Sequence, residues 1–325
     1  MRNSLLLSLG IMASMFMAGC SNATDVDTAL AKMQEDTFSV GVLLPDIGMG
    51  DQSFNDLAVE GLLEARDELN IIWSYRDLTT SKSLEEALEE LMAEEHDVII
   101  GVGYTIQEMI EAEAKEHPEQ RFALIDTLSD VENVDGMVFN QKEGSYLAGV
   151  LAAKLSTTGV LGFLGGMEDE VIWRFHDGFL AGAQSVNPAI RVLPVFADTY
   201  SDADIGAKLA TQLIAEQADV LYAVAGYTGV GLLQQAQKEG VYAIGVDSDQ
   251  YFYAEKAVVT SMQKNLDVAV YSYIEQLIEN PDSPQQTLQF GVSDNGVSLS
   301  PIRVVDNASE LEEALQQTDV PTSMD

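Results

Sequence analysis

Three aspartates, Asp46, Asp126 and Asp247, each stand just past a short apolar run in this chain. Tyr200 and Gly226 stand just past two more. An ionised carboxylate can only accept hydrogen bonds, so a group of them calls for a ligand that donates. Behind Asp46 come Gly48, Gly50, Phe54 and Asn55, which add loose backbone, a ring and an amide. An acceptor, a ring and an amide in one loop suit a small, neutral, partly aromatic ligand. Taken singly, an aspartate after a strand is most often a turn former or a helix cap. Three of them, together with two aromatic residues at comparable positions, point to a shared site.

Other chemistries find little support. No GxxxxGK[ST] phosphate loop follows the first apolar run. No GxSxG nucleophile elbow occurs, and His96, His117 and His176 have no HExxH or paired metal-ligand spacing. His176 is expected to cap or pack near Trp173. Gly226-Tyr227-Thr228-Gly229-Val230-Gly231 lacks the GxGxxG order of a dinucleotide loop and reads as a tight helix start. We expect no enzyme, no cofactor and no metal site.

The elements that carry these residues follow a regular beat. Residues 40–44 have the length and β-branched content of a buried strand, and a helical pattern with Ala58, Leu62, Ala65 and Leu69 follows. Strands are expected at 71–75, 97–103, 121–125 and 134–139, with helices between them. Ser83 and Glu86 form a capping box before one of those helices. The beat restarts at Glu143, with strands at 160–164, 192–196, 220–224 and 242–246. Alternating strands and helices argue for parallel sheets covered on both faces. Two successive rounds of similar length give an α/β protein of two Rossmann-like, doubly wound lobes. One more strand (258–262) and one more helix (268–278) follow, then a late hairpin (287–292 with 296–299) and a short C-terminal helix (309–315). Ligands of open α/β sheets bind outside the carboxyl ends of the strands. Facing lobes would therefore bring the strand-end residues together in the cleft.

The first residues stand apart. Arg2, the apolar stretch 5–17 and the exit Ala18-Gly19-Cys20 have the layout of a secretory signal, too short to span a membrane. Cys20 is the sole cysteine, so no disulfide can form within the chain. The segment resembles a bacterial lipoprotein signal, which implies cleavage before Cys20 and acyl chains, such as palmitate, on it. More than one chain suffices for stable attachment. We assign 1–19 to the signal and 20–37 to a tether. With 16 basic and 53 acidic residues the formal charge is −37. Such a surface repels phosphate backbones, which excludes nucleic acid as a partner. It keeps a protein soluble where salt screens self-repulsion, in an outer compartment that is saline or alkaline.

Several motifs, in order, resemble the basic membrane lipoproteins, substrate-binding proteins of ABC importers typified by a purine-nucleoside receptor. They are Asp51-Gln52-Ser53-Phe54-Asn55, Ile100-Gly101-Val102-Gly103, Glu143-Gly144-Ser145-Tyr146-Leu147-Ala148-Gly149, Gly162-Phe163-Leu164-Gly165-Gly166-Met167, Ala225-Gly226-Tyr227-Thr228-Gly229, Gly245-Val246-Asp247-Ser248-Asp249-Gln250 and Thr260-Ser261-Met262-Gln263-Lys264. The resemblance covers about 38–299. It implies a type I periplasmic-binding-protein fold, with three crossings between lobes that close over the ligand. We assign 38–141 plus 250–282 to lobe 1, 142–249 plus 283–304 to lobe 2, and 305–325 to a tail. The resemblance also implies roles. Phe54 and Tyr200 would sandwich a base, Tyr200 standing where many relatives have Phe. Asp247 would anchor a ribose, with Lys264 donating to the same sugar. Asp126 and Asn55 would read the base edge, while Asp46 and Gly226 line the pocket. The expected protein is a lipid-anchored, monomeric nucleoside receptor on the outer face of the cell membrane, delivering to an ABC permease and its ATPase. A surface sensor or regulator using the same pocket is the alternative.

Overall fold

The computed structural model describes residues 37–45, 48–51, 53–293 and 295–321. Its first sheet is built from β1 (Ser39–Leu43), β2 (Ile72–Arg76), β3 (Val98–Gly101), β4 (Arg121–Ile125), β5 (Val134–Phe139) and β11 (Thr287–Phe290), in the order β11-β5-β4-β3-β1-β2. All its pairings are parallel. Val40, Val42 and Leu43 in β1 are fully buried, as expected where helices cover both faces of a parallel sheet. The second sheet holds β6 (Val160–Gly165), β7 (Arg191–Phe196), β8 (Val220–Val224), β9 (Tyr242–Asp247), β10 (Val258–Lys264) and β12 (Val297–Leu299), in the order β12-β10-β9-β8-β6-β7. Only β12 runs antiparallel to its neighbour. Pro194 has no N–H to give a ladder, and β7, which contains it, is an edge strand.

Helices fill the intervals: α1 (Phe54–Leu69), α2 (Leu84–Met92), α3 (Gln107–Glu116), α4 (Gln141–Leu155), α5 (Glu170–Val186), α6 (Ala203–Ala215), α7 (Gly226–Glu239), α8 (Leu266–Glu279) and α9 (Ala308–Gln316). The Ser83 side chain accepts the Glu86 N–H, as the capping box requires. The return bond from the Glu86 carboxylate goes to the Lys82 N–H rather than to Ser83. Helices α4 and α5 lie backbone against backbone. A Cβ on Gly182 would stand 2.0 Å from the Tyr146 carbonyl oxygen, so no larger residue fits there. Each lobe has its own core, around Leu43, Ile99, Phe122 and Leu124 in the first. Leu164, Leu221, Leu232 and Val258 do the same in the second.

The chain crosses between sheets after β5, after β10 and between β11 and β12, and here the structure corrects two expectations. Segment 250–282 does not belong to one lobe. Strand β10 pairs with β9 in the second sheet, while α8 packs on α1 in the first lobe. The late hairpin is not a hairpin either, since β11 pairs with β5 and β12 with β10. A turn does exist there: Gly296 N–H and Val297 N–H both donate to Gly291 O, and Asn295 takes a left-handed φ of 61°. An Asn-Gly step between short strands is a hairpin signal, but its flanks go to separate sheets. The buried carboxylate of Asp135 directs the first of them. It accepts from Arg121 Nε at 2.6 Å, from the Tyr273 hydroxyl on α8 at 2.6 Å and from the Gln286 N–H at 2.6 Å. Those three bonds hold α8 and the start of β11 against the first lobe.

Candidate functional site

The carboxyl ends of both sheets face one cavity. Phe54, Asn55, Asp126, Tyr200, Gly226, Asp247 and Lys264 all line it. Its empty space, counted out into the open mouth, is about 720 Å³. Asp46 and Cys20 lie outside the described residues. His176, set edge-on to Trp173 at 4.8 Å between ring centroids, packs away from this cavity.

Asp126 and Asp247 hold corresponding places. Each ends the third strand from the β11 or β12 edge of its sheet, and each has left-handed backbone, with φ of 68° and 65°. Aspartate tolerates that region better than most residues. Strain of this kind persists where the surroundings over-determine it, often at sites of function. Both carboxylates are buried, and Lys264, buried at the second crossing, lies between the lobes' acids. Its Nζ donates to Asp126 Oδ2 at 2.5 Å. Gln141 Nε2 reaches the other oxygen of Asp126 at 3.3 Å. The ammonium also stands 4.9 Å from the Phe54 ring centre and 5.3 Å from those of Phe139 and Phe175. Ring faces attract a desolvated cation. Burial pushes the Asp247 carboxyl up to about 6, against the pull of Lys264 and of the Ser53 hydroxyl.

The loop before α1 divides its labour. Asp51 caps the helix, its carboxylate accepting the N–H groups of Ser53, Asn55 and Asp56 at 2.9, 2.8 and 3.1 Å. The Ser53 hydroxyl is thereby spared from capping. It donates to Asp247 Oδ2 of the opposite lobe at 2.9 Å. Burial raises the Asp51 carboxyl, and the three N–H groups oppose that shift. Asn55 is less free than its expected role requires. Its amide nitrogen donates to Gly48 O at 3.0 Å and to Pro45 O at 3.4 Å, which leaves its Oδ1 for a ligand.

Tyr200 rests on bare backbone. A Cβ on Gly166 would come within 2.0 Å of the Tyr200 ring, so the ring lies where only glycine admits it. Gly226, at a φ of 52°, starts α7 beside the Tyr200 carbonyl, which accepts the Thr228 N–H at 3.0 Å. The Tyr200 hydroxyl meets that of Tyr104 at 2.6 Å.

The sequence reading overlooked Tyr104, Phe175 and the cavity-lining part of Asp51. Asp51 carried a signal, a short acidic side chain just before a helical pattern. Phe175 carried none, because it lies on a helix face that reads as core. The site as a whole has aromatic and aliphatic walls, among them Val102, Ile172 and Val224, around three carboxylates and one ammonium. It can stack a planar ring and accept hydrogen bonds from hydroxyls. Added negative charge would face like charge.

The family model described as ABC transporter substrate-binding protein, PnrA-like, matches residues 38–324. Among curated proteins, basic membrane protein A of Borreliella burgdorferi is 30% identical over 267 residues, covering 80% of this chain and 76% of its own. An uncharacterized lipoprotein of Pyrococcus abyssi is 30% identical over 306 residues, covering 89% and 74%. Among solved structures, an ABC transporter solute-binding protein from Aeropyrum pernix K1 is 29% identical with a TM-score of 0.75, covering 88% of this chain and 82% of that one.

Proposed function

The chain belongs to the PnrA-like ABC transporter substrate-binding proteins, and from that premise we propose that it binds a nucleoside, with a purine preferred, between its lobes. The observation that carries this reading is the make-up of one cavity. Aromatic rings from both lobes, Phe54 and Tyr200, line it together with Asp247 and Lys264. A base would stack on the rings, and stacking of this kind contributes about 1–3 kcal/mol per base. The 2′- and 3′-hydroxyls of a ribose would donate to Asp247, with Lys264 donating back to the sugar. Asp126 and the Asn55 Oδ1 would meet the base edge. A 2′-deoxynucleoside loses one donor, and a nucleotide brings negative charge toward Asp51, Asp126 and Asp247.

Calorimetry with inosine, guanosine, adenosine and uridine, against free base and free ribose, tests the reading. Binding of a nucleoside tighter than of either half is the expected result. Tight binding of a free sugar with no gain from the base would overturn it. Tyr200→Ala is expected to weaken nucleoside binding by about 1–3 kcal/mol, and Tyr200→Phe by less, because the ring remains. Equal losses in the two variants would remove stacking as the main role of Tyr200.

We further propose that the mature chain is anchored through acyl groups on Cys20 and works with a permease and an ATPase. Support comes from the signal-like start of the sequence and from the name of the Pyrococcus relative. Among the described residues no helix is long and apolar enough to cross a membrane. Cys20→Ser is expected to move the protein from the membrane pellet to the soluble fraction on cell fractionation. Retention in the pellet would point to a different anchor.

A further inference from the structure

We propose that Tyr104 is a positioning residue that latches the two lobes and sets the angle of the Tyr200 ring, through a hydroxyl relay that leaves lobe 2, enters lobe 1 and returns to lobe 2. Tyr104 stands in the short 3-10 turn Tyr104–Ile106, just past β3 in the first lobe. Its hydroxyl donates to the Asp169 carboxylate, which belongs to the second lobe. With its proton so directed, the Tyr104 oxygen accepts from the Tyr200 hydroxyl, also of the second lobe, at 2.6 Å. The other Asp169 oxygen caps α5, accepting the Ile172 N–H at 3.0 Å. That helix places Val171, Ile172 and Phe175 on the cavity wall. The order of donation is therefore Tyr200 to Tyr104 to Asp169, with Ile172 donating to the far end.

Three consequences follow from the layout. Both partners of Tyr104 lie across the cleft, so opening breaks two hydrogen bonds at once. The Tyr200 ring has its face on Gly166 and its tip on Tyr104, which leaves it little freedom to tilt. Burial, with Tyr200 and Asp169 close by, holds the Tyr104 phenol well above its ordinary pKa. The relay thus keeps its proton throughout the physiological range. A hydrogen bond to a charged group is worth more than a neutral one, so Asp169 is the stronger of the two ties.

The effect on ligand rests on reading Tyr200 as one face of the stack; the latch itself does not. Two measurements keep them apart. The first uses spin labels at the exposed positions Lys82 in lobe 1 and Lys208 in lobe 2, introduced as Lys82→Cys and Lys208→Cys. Pulsed dipolar spectroscopy of the ligand-free protein then gives the ratio of closed to open lobes. Tyr104→Phe keeps the ring and removes the relay, and it is expected to lower that ratio by about tenfold or more. Identical distance distributions in the two proteins would overturn the latch. The second measurement is inosine dissociation by stopped flow. Tyr104→Phe is expected to speed it about tenfold, and Tyr200→Phe is expected to change it less in the Tyr104→Phe background than in the unaltered protein, since the bond between the two hydroxyls is already gone there. Additive effects of the two changes would overturn the relay. If the unaltered protein binds no nucleoside, the ligand reading fails, and the distance ratio still decides the latch. Asp169→Asn, which retains an oxygen for the α5 cap, is expected to open the lobes as Tyr104→Phe does; a closed ratio unchanged in that variant would also overturn the proposal.

Discussion

Replacing Asp247 by Ala is expected to weaken nucleoside binding by a factor of about 10²–10⁴. Two ribose hydroxyls donating to one ionised carboxylate make two charge-assisted bonds, each worth about 1.5–3 kcal/mol, and every 1.4 kcal/mol or so is tenfold in affinity. The same residue makes binding depend on pH, with a definite sign. Burial raises the Asp247 carboxyl from 3.8 to about 6 in the protein. A raised carboxyl pKa contributes stability that is fully present below the unfolded value and is lost as pH rises through the folded one. At neutral pH the ligand-free protein therefore carries the cost of a buried charge. Hydroxyls that donate to the ionised form would relieve that cost, so a bound nucleoside is expected to lower the pKa of Asp247 and expel its proton. Affinity should fall as pH drops through about 6 and level off above it. Titration calorimetry from pH 5 to pH 8 checks both points, since the number of protons released is read from buffers of different ionisation enthalpy. Asp247→Asn should bind weakly with a flat profile. An Asp247→Ala protein with unchanged affinity would remove the ribose anchor from the reading.

The strand-end position of Asp247 was legible in the sequence for a simple reason, whereas its ribose role came from the resemblance alone. In a parallel sheet a buried strand is a nearly unbroken apolar run, and the first polar residue after it marks the edge where loops gather. Asp126 and Asp247 announce themselves in this way, and the structure sets both at that edge. Lys264 was found only through the resemblance, because a lysine after Thr260-Ser261-Met262-Gln263 has no pattern of its own. Tyr104 escaped for a different reason. The segment after β3 runs through Val102 to Gly103, at a φ of 99°, and turns at once into a 3-10 helix, so local sequence does not say where its side chains aim. Only the opposing lobe, through Asp169 and Tyr200, gives the residue its place.

Sheet membership at the crossings was out of reach on the same grounds. A strand of three or four residues, such as β12 or β11, has too little pattern to name its partner. The decision was made by tertiary bonds, those of Asp135 to Tyr273 and Gln286 above all. Relocating β10 into the second lobe matters for mechanism. Lys264 is the last residue of that strand, so its ion pair with Asp126 spans the two lobes rather than lying within one. Together with Ser53 on Asp247, it binds each lobe's strand-end carboxylate to the other lobe.

Lys264→Met is therefore expected to destabilise the ligand-free protein by about 3–5 kcal/mol, the range seen when one partner of a buried pair is removed. Methionine keeps most of the side chain's length and removes the ammonium that stands over Phe54, Phe139 and Phe175, so the loss reports charge more than volume. With the ammonium gone, Asp126 and Asp247 remain as buried like charges, and the downward pull of Lys264 on Asp247 disappears. The midpoint of the pH dependence of nucleoside binding should move upward from about 6. Urea unfolding followed by circular dichroism reads the first effect, and calorimetry against pH the second. Removing the Asp126 charge as well, in Lys264→Met with Asp126→Leu, separates stability from recognition. Replacing both members of a buried pair by apolar groups is often neutral or stabilising, so the double variant should regain most of the lost stability. It should not regain binding if Lys264 is the sugar's donor and Asp126 the acceptor for the base edge, as proposed. A single variant that unfolds at the wild-type urea concentration would mean that the charge of Lys264 adds nothing net to the stability of the ligand-free protein.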